Sequence, residues 1–140
     1  LDVSQNKIED ISVLETLPQL KILNLAGNRI SDLKPLAKLT SVESINLSNN
    51  PVEEIGALAG MKNLTVAELS HSKISDITPL AGLQNVTHLS LAGNEIKGEE
   101  NLKALMQMKS LVSLTLGFGF TEDEVKQLQT ALPDCMIFNQ

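Results

Sequence analysis

Few residues in this chain are of types that do chemistry. Its 140 residues include two histidines, His71 and His88, and one cysteine, Cys135. Acid–base work needs two titratable groups within hydrogen-bond reach, and metal binding needs several ligands converging on one point. The histidines fall five positions apart on neighbouring strand positions, on the order of 16 Å, so both are expected as solvated residues rather than a working pair. Cys135 falls in an apolar strand slot, where a thiol is buried and inert; a reactive one wants exposure and positive neighbours. Gly117-Phe118-Gly119 precedes a helix but lacks the lysine and the third glycine of a phosphate-cradling loop. Neither HExxH nor CxxC occurs. Asp10, Asp32, Glu54 and Asp76 form a column, but each lies a full repeat from the next, too far to share a hard cation. No catalytic residue, metal ligand or cofactor is therefore expected. Asn46, Asn63 and Asn85 open Asn-x-Ser/Thr triplets that read as chance.

Composition narrows the partners. Eleven basic against 17 acidic residues give a net charge of −6, which disfavours nucleic acid and anionic membrane surfaces. No apolar run approaches the ~20 residues of a membrane span, so no membrane insertion is expected. Aromatic residues are only 2%, with no Trp or Tyr, so Leu, Ile, Val and Ala must build the core. A single cysteine cannot close an internal disulfide and leaves the redox compartment unread.

What positions these residues is a repeat. Leu20-Lys-Ile-Leu23-Asn-Leu25-Ala-Gly-Asn28-Arg-Ile30 returns as Val42…Ile45-Asn-Leu47…Asn50-Pro-Val52, as Leu64…Ala67-Glu-Leu69…Ser72-Lys-Ile74, and as Val86…Leu89-Ser-Leu91…Asn94-Glu-Ile96. The marker series Leu1, Leu23, Ile45, Ala67 and Leu89 advances by 22 residues; Leu114 follows after 25 and Cys135 after 21. Alternating apolar residues such as Leu23 and Leu25 suit a short strand with one inward face. Strands this short must pair in parallel with their copies, while the return segment covers the other side.

Asn6, Asn28, Asn50 and Asn94 follow the strand where the chain turns into the core. An inward amide both donates and accepts there. Ser72 and Gly119 replace the asparagine in two repeats, so those turns are expected to be looser or differently bonded. The second half of the repeat, Ile30-Ser-Asp32-Leu33-Lys-Pro35-Leu36 and Ile74-Ser-Asp76-Ile77-Thr-Pro79-Leu80, predicts a single-turn helix with the aspartate accepting from free N–H groups. Beyond Ile96, Leu102, Leu105, Met106 and Met108 predict a longer helix. Thr121-Glu122-Asp123-Glu124 is a capping box, and Val125, Leu128 and Leu132 carry its helix inward until Pro133. Cys135, Ile137 and Phe138 then form a last strand.

The pattern L-x-x-L-x-L-x-x-N-x-L resembles the leucine-rich repeat over essentially the whole chain. The Ser-Asp-Ile-Thr-Pro-Leu wording resembles the 22-residue class of bacterial internalins; the intracellular class typified by a protein phosphatase's regulatory subunit is the nearest alternative. The resemblance implies an α/β right-handed solenoid with a parallel concave sheet of about seven short strands and short 3-10 or α helices on the convex side. The whole of 1–140 reads as one repeat domain: 1–22 a truncated first repeat, 23–113 four repeats, and 114–140 a C-terminal capping repeat. An immunoglobulin-like cap is expected after internalin repeats, and the capping repeat departs from that. The chain opens at Leu1 without Met or signal peptide, which reads as a cut end. Leu1, Val3 and Ile8 are expected to face an upstream segment or another molecule, with self-contact at this end as one form of it.

The surface left for function is the concave sheet. Outward positions beside the Leu slots give Ile22, Val66 and His88 in one column, Asn24, Asn46, Glu68, Ser90 and Thr115 in the next, then Ser48 and Ser70, then His71 and Phe118. The resemblance implies a non-catalytic scaffold for a protein ligand, bacterial and secreted or at the cell surface. A structural spacer, or the recognition part of a larger enzyme or effector, are the alternatives, because binding hot spots are usually Trp, Tyr and Arg and this face has none.

Overall fold

A computed structural model describes residues 1–139. Six strands form one parallel sheet in chain order: β1 (Ile22–Asn24), β2 (Ser44–Asn46), β3 (Val66–Glu68), β4 (His88–Ser90), β5 (Ser113–Leu116) and β6 (Met136–Asn139). Leu23, Ile45, Ala67, Leu89 and Leu114 stand side by side on adjoining strands. The first of the seven expected strand positions is reduced to an isolated bridge between Asp2 and Asn24. Leu1, Val13 and Leu17 are exposed and Val3 and Ile8 are half-buried at that end, so the first strand position is not covered by the rest of the chain.

The last strand corrects the sequence reading. Ile137, not Cys135, pairs with Leu114. Cys135 lies just before β6, and its amide closes the turn onto the Leu132 carbonyl at 3.1 Å. The expected burial of its side chain holds, and burial pushes its thiol pKa up.

The return segments are four 3-10 turns, Ser12–Thr16, Lys34–Lys38, Gly56–Gly60 and Thr78–Leu80, then two α-helices, α1 (Glu99–Gln107) and α2 (Glu122–Ala131). Pro35 and Pro79 sit in the first turn of theirs, where no N–H is missed. Asp10, Asp32 and Asp76 accept from the backbone N–H groups of Ser12, Lys34 and Thr78 at 2.8–2.9 Å. Each aspartate stands one residue before the N-cap position and bonds the first helical N–H, an Asx turn rather than a true N-cap. Glu54, one carbon longer, makes no such bond among the described residues. The capping box on α2 forms as expected: Glu124 N–H donates to Thr121 Oγ1 at 3.2 Å and Thr121 N–H to Glu124 Oε2 at 2.8 Å.

One core runs through the stack from Ile11 to Cys135. Leu25, Leu47, Leu69 and Leu91, one per coil, are fully buried, as are Leu36 and Leu58 from the convex turns. Each coil thus buries its apolar edge only against its neighbours, which is what makes the array cooperative.

Candidate functional site: the concave sheet

The asparagine column joins successive coils at the turn that follows each strand. Asn50 Nδ2 donates to Leu25 O and Leu47 O, both at 3.0 Å, while its Oδ1 accepts from Ile30 N at 3.0 Å. Asn28 and Asn94 repeat the same three contacts one coil earlier and two coils later. Each side chain therefore ties its own coil to the preceding one. Asn6, in the first coil described, donates to Val3 O and Ser4 O of its own coil and is exposed. Ser72 Oγ is buried without a hydrogen-bond partner among the described residues. At Gly119 the backbone takes over: Ile96 N–H donates to Phe118 O at 3.0 Å, and Phe118 N–H to Asn94 O at 3.1 Å. A side chain on Gly117 would meet Asn94 O, and one on Gly119 would meet Ile96 O. Both glycines are what let this backbone lie so close.

On this frame the outward side chains line up in two rows. The first is Ile22, Ser44, Val66, His88, Ser113 and Met136; the second is Asn24, Asn46, Glu68, Ser90, Thr115 and Phe138, with Asp2 bridged to its start. All the expected strand residues of the concave face are therefore in register. Ser48 and Ser70 follow just beyond the strands; Ser70 Oγ and Ser90 Oγ are 2.7 Å apart, and Ser70 N–H donates to Ser48 Oγ at 3.2 Å.

His71 and Phe118 are not strand residues. Gln5, Asn49 and His71 share a left-handed backbone, with Gly27 and Gly93 in the same column. This column is the turn out of the strand, and the His71 imidazole lies over Gly93 where a Cβ would otherwise sit. Phe118 bridges to Glu95 instead of extending the column. Its exposed ring lines a groove of about 550 Å³ with Ser72, Lys73, Gly93, Glu95 and Lys97 on the descending side of the coil. Sequence reasoning missed Met136 and Phe138, because counting from Cys135 put the last strand out of register. Both are exposed, at 60% and 48%.

The polar groups of the second row differ in how far they are already engaged. Asp2 accepts from Ser4 N–H, Ser4 Oγ and Asn24 Nδ2, and the Ser4 bonds above all hold its carboxyl below the usual range. Asn24 and Asn46 each accept from the backbone two residues on. Glu68 is half-buried and has neither an ion pair nor a side-chain hydrogen bond among the described residues. His88 Nδ1 is 2.9 Å from Thr87 Oγ1. Among the described residues, no three His, Cys, Asp or Glu side chains are placed to share a metal ion, and no helix is long and apolar enough to cross a membrane.

A family model described as Leucine Rich repeats (2 copies) matches residues 1–38 and 18–60, and one described as Leucine Rich repeat matches residues 82–99. Among solved structures, the chain is similar to an internalin (inlF) from Listeria monocytogenes, with 26% identity and a TM-score of 0.83 over 96% of this chain and 39% of that one. It is similar to internalin C2 from the same organism, with 27% identity and a TM-score of 0.84 over 98% of this chain and 60% of that one. An LRR protein of Leptospira interrogans gives 25% identity and a TM-score of 0.83 over 94% of this chain and 34% of that one. The chain thus spans less than two thirds of each of these proteins. No curated protein matches it.

Proposed function

Because the chain belongs to the leucine-rich repeat proteins, with repeats of the internalin type, we propose that it is a non-catalytic scaffold that binds a protein ligand on its concave sheet. One observation carries this reading: six in-register strands hold two rows of outward side chains at fixed spacing. A face already ordered loses little entropy when a partner docks. The residues proposed to meet the ligand are Ile22, Asn24, Asn46, Ser48, Val66, Glu68, Ser70, His88, Ser90 and Thr115, with Met136 and Phe138 added by the register of β6. His71 and Phe118 lie at the rim, available to a ligand that overhangs the sheet. A setting outside the cell or at its surface, in a bacterium, follows from the internalin likeness and belongs to the same proposal. The exposed Leu1, Val13 and Leu17 offer a second contact, to an upstream segment or to another copy of the chain.

The test compares the proteins retained by the chain with those retained by a variant carrying Asn46→Arg and Thr115→Arg. Both positions point away from the core, so folding is expected to survive. Loss of a specific partner from this variant, with retention by the convex control Lys103→Glu, supports the reading. Retention of every partner by the concave variant leaves the spacer alternative and overturns concave binding.

A further inference from the structure

The concave face is chemically polarised, and its polarity specifies a ligand. None of the chain's eleven lysines and arginines occupies either outward row. The formal charges there are the carboxylates of Asp2 and Glu68, and Asp2 is already engaged by Ser4 and Asn24. Glu68, at the middle of the sheet, is the carboxylate left without a partner among the described residues. Three strands away in the same row stands Phe138, with Met136 two residues before it on β6. Both are exposed, and they are the large apolar side chains that the two rows present at that end. An aromatic ring and a thioether there form an adaptable apolar seat.

Resting on the concave-binding reading above, we propose that the ligand is an extended polypeptide segment crossing the strands, with a lysine or arginine paired to Glu68 and an apolar side chain seated on Met136 and Phe138. The spacing follows from the sheet. Three strand intervals of ~4.8 Å separate the two points by roughly 14 Å, which an extended chain covers in about four residues. Side chains of an extended segment alternate in direction, so residues four apart face the same way. The required pattern is thus a basic and an apolar residue separated by three others. The basic residue answers rows that hold a free carboxylate and neither lysine nor arginine, and the apolar one answers the end of the two rows where an aromatic ring is exposed.

The experiment selects phage-displayed random peptides of about seven residues on the 140-residue chain, then measures the enriched peptides by fluorescence anisotropy. Enrichment of a basic and an apolar residue at this spacing is expected. Affinity should fall about tenfold or more in Glu68→Lys and in Phe138→Ser, fall less in Glu68→Gln, and weaken with added salt. The off-face control Glu53→Lys should leave it unchanged, and the isosteric Glu68→Gln guards against a folding defect in the charge reversal. Enriched peptides without a basic residue, peptides that bind Glu68→Lys as well as the parent chain, or no enrichment at all would overturn the inference. If such peptides still lose affinity in the Asn46→Arg, Thr115→Arg variant, concave binding stands and only the ligand chemistry is wrong. If they are indifferent to that variant too, the concave reading itself fails. Self-association of the chain abolished by Glu68→Lys would assign the face to a second copy and likewise overturn the inference.

Discussion

The turns at Asn50 and Ser72 occupy the same place in successive coils, yet one is fully bonded and the other is not. Asn50 satisfies a backbone N–H and two carbonyls from two coils. By the same geometry, an asparagine in place of Ser72 would accept from Val52 N–H and donate to Leu47 O and Leu69 O. Ser72 is too short, and its own hydroxyl is left buried and unpaired. The two carbonyls do not go wholly without: Asn50 still serves Leu47 O and Asn94 serves Leu69 O. The Ser72 turn is therefore tolerated because its neighbours are intact. A solenoid shares its hydrogen bonds between coils, so a weak coil leans on the strong ones beside it.

The sharpest way to break the comparison is Asn50→Ser, which places two weak turns in succession. Ile30 N–H loses its acceptor, and Leu47 O loses its only side-chain donor because Ser72 cannot replace it. Buried groups left unpaired cost ~1–3 kcal/mol each, so urea unfolding should show a loss of about 3 kcal/mol. A loss no larger than that of an exposed substitution would remove the ladder as a source of stability. Gly119→Ala comes next. It probes the third solution, backbone in place of asparagine. Gly119 has φ +125 and its Cβ would meet Ile96 O, so a loss of about 2 kcal/mol is expected from strain in this region. Smaller, and opposite in sign, is Ser72→Asn, which should raise stability by about 1 kcal/mol as new internal hydrogen bonds form. The double variant sharpens the point further: in the Ser72→Asn background, Asn50→Ser should cost measurably less, because Leu47 O regains a donor. Simple additivity of the two changes would show that the coils do not share these bonds.

The repeat made most of the fold legible. A 22-residue period in Leu and Asn is enough to stack coils, place the core and align β1 to β5, since every coil solves the same problem. The closing unit was harder, because its period is broken. Between Leu132 and Phe138, Cys135 and Ile137 share the inward face and Met136 and Phe138 the outward one, and by pattern alone either Cys135 or Ile137 can stand opposite Leu114. Pairing of Ser113 with Met136 decides it, and that depends on where α2 ends and how its turn is made. The error hid the only exposed aromatic in the concave rows. His71 was misplaced for a different reason. Its column holds Gly27, Asn49 and Gly93, residue types that accept a positive φ, and that composition was a readable sign of a turn rather than of a strand. Asn101 carried no signal at all: from inside α1 it accepts from Ile77 N–H and donates to Ser75 O and Lys97 O, a second cross-coil tie between the two coils that Asn94 already joins.

The smallest effect tests the convex side against the concave one. Asp76 accepts from both the hydroxyl and the backbone N–H of Thr78, and these bonds, the hydroxyl's first, hold its carboxyl below the ordinary aspartate value. A group whose folded pKa is depressed contributes stability that is complete above the unfolded value, about 4, and drains away as pH falls through the folded one. Asp76→Asn keeps an acceptor oxygen but not the charge. The variant should therefore melt slightly below the parent at neutral pH, and the gap should close as pH drops below about 4. The carboxylate is exposed, so solvent screening keeps the gap small, well under that of any change in the asparagine column. A gap that is unchanged in acid would mean that packing around residue 76, and not its charge, makes the turn.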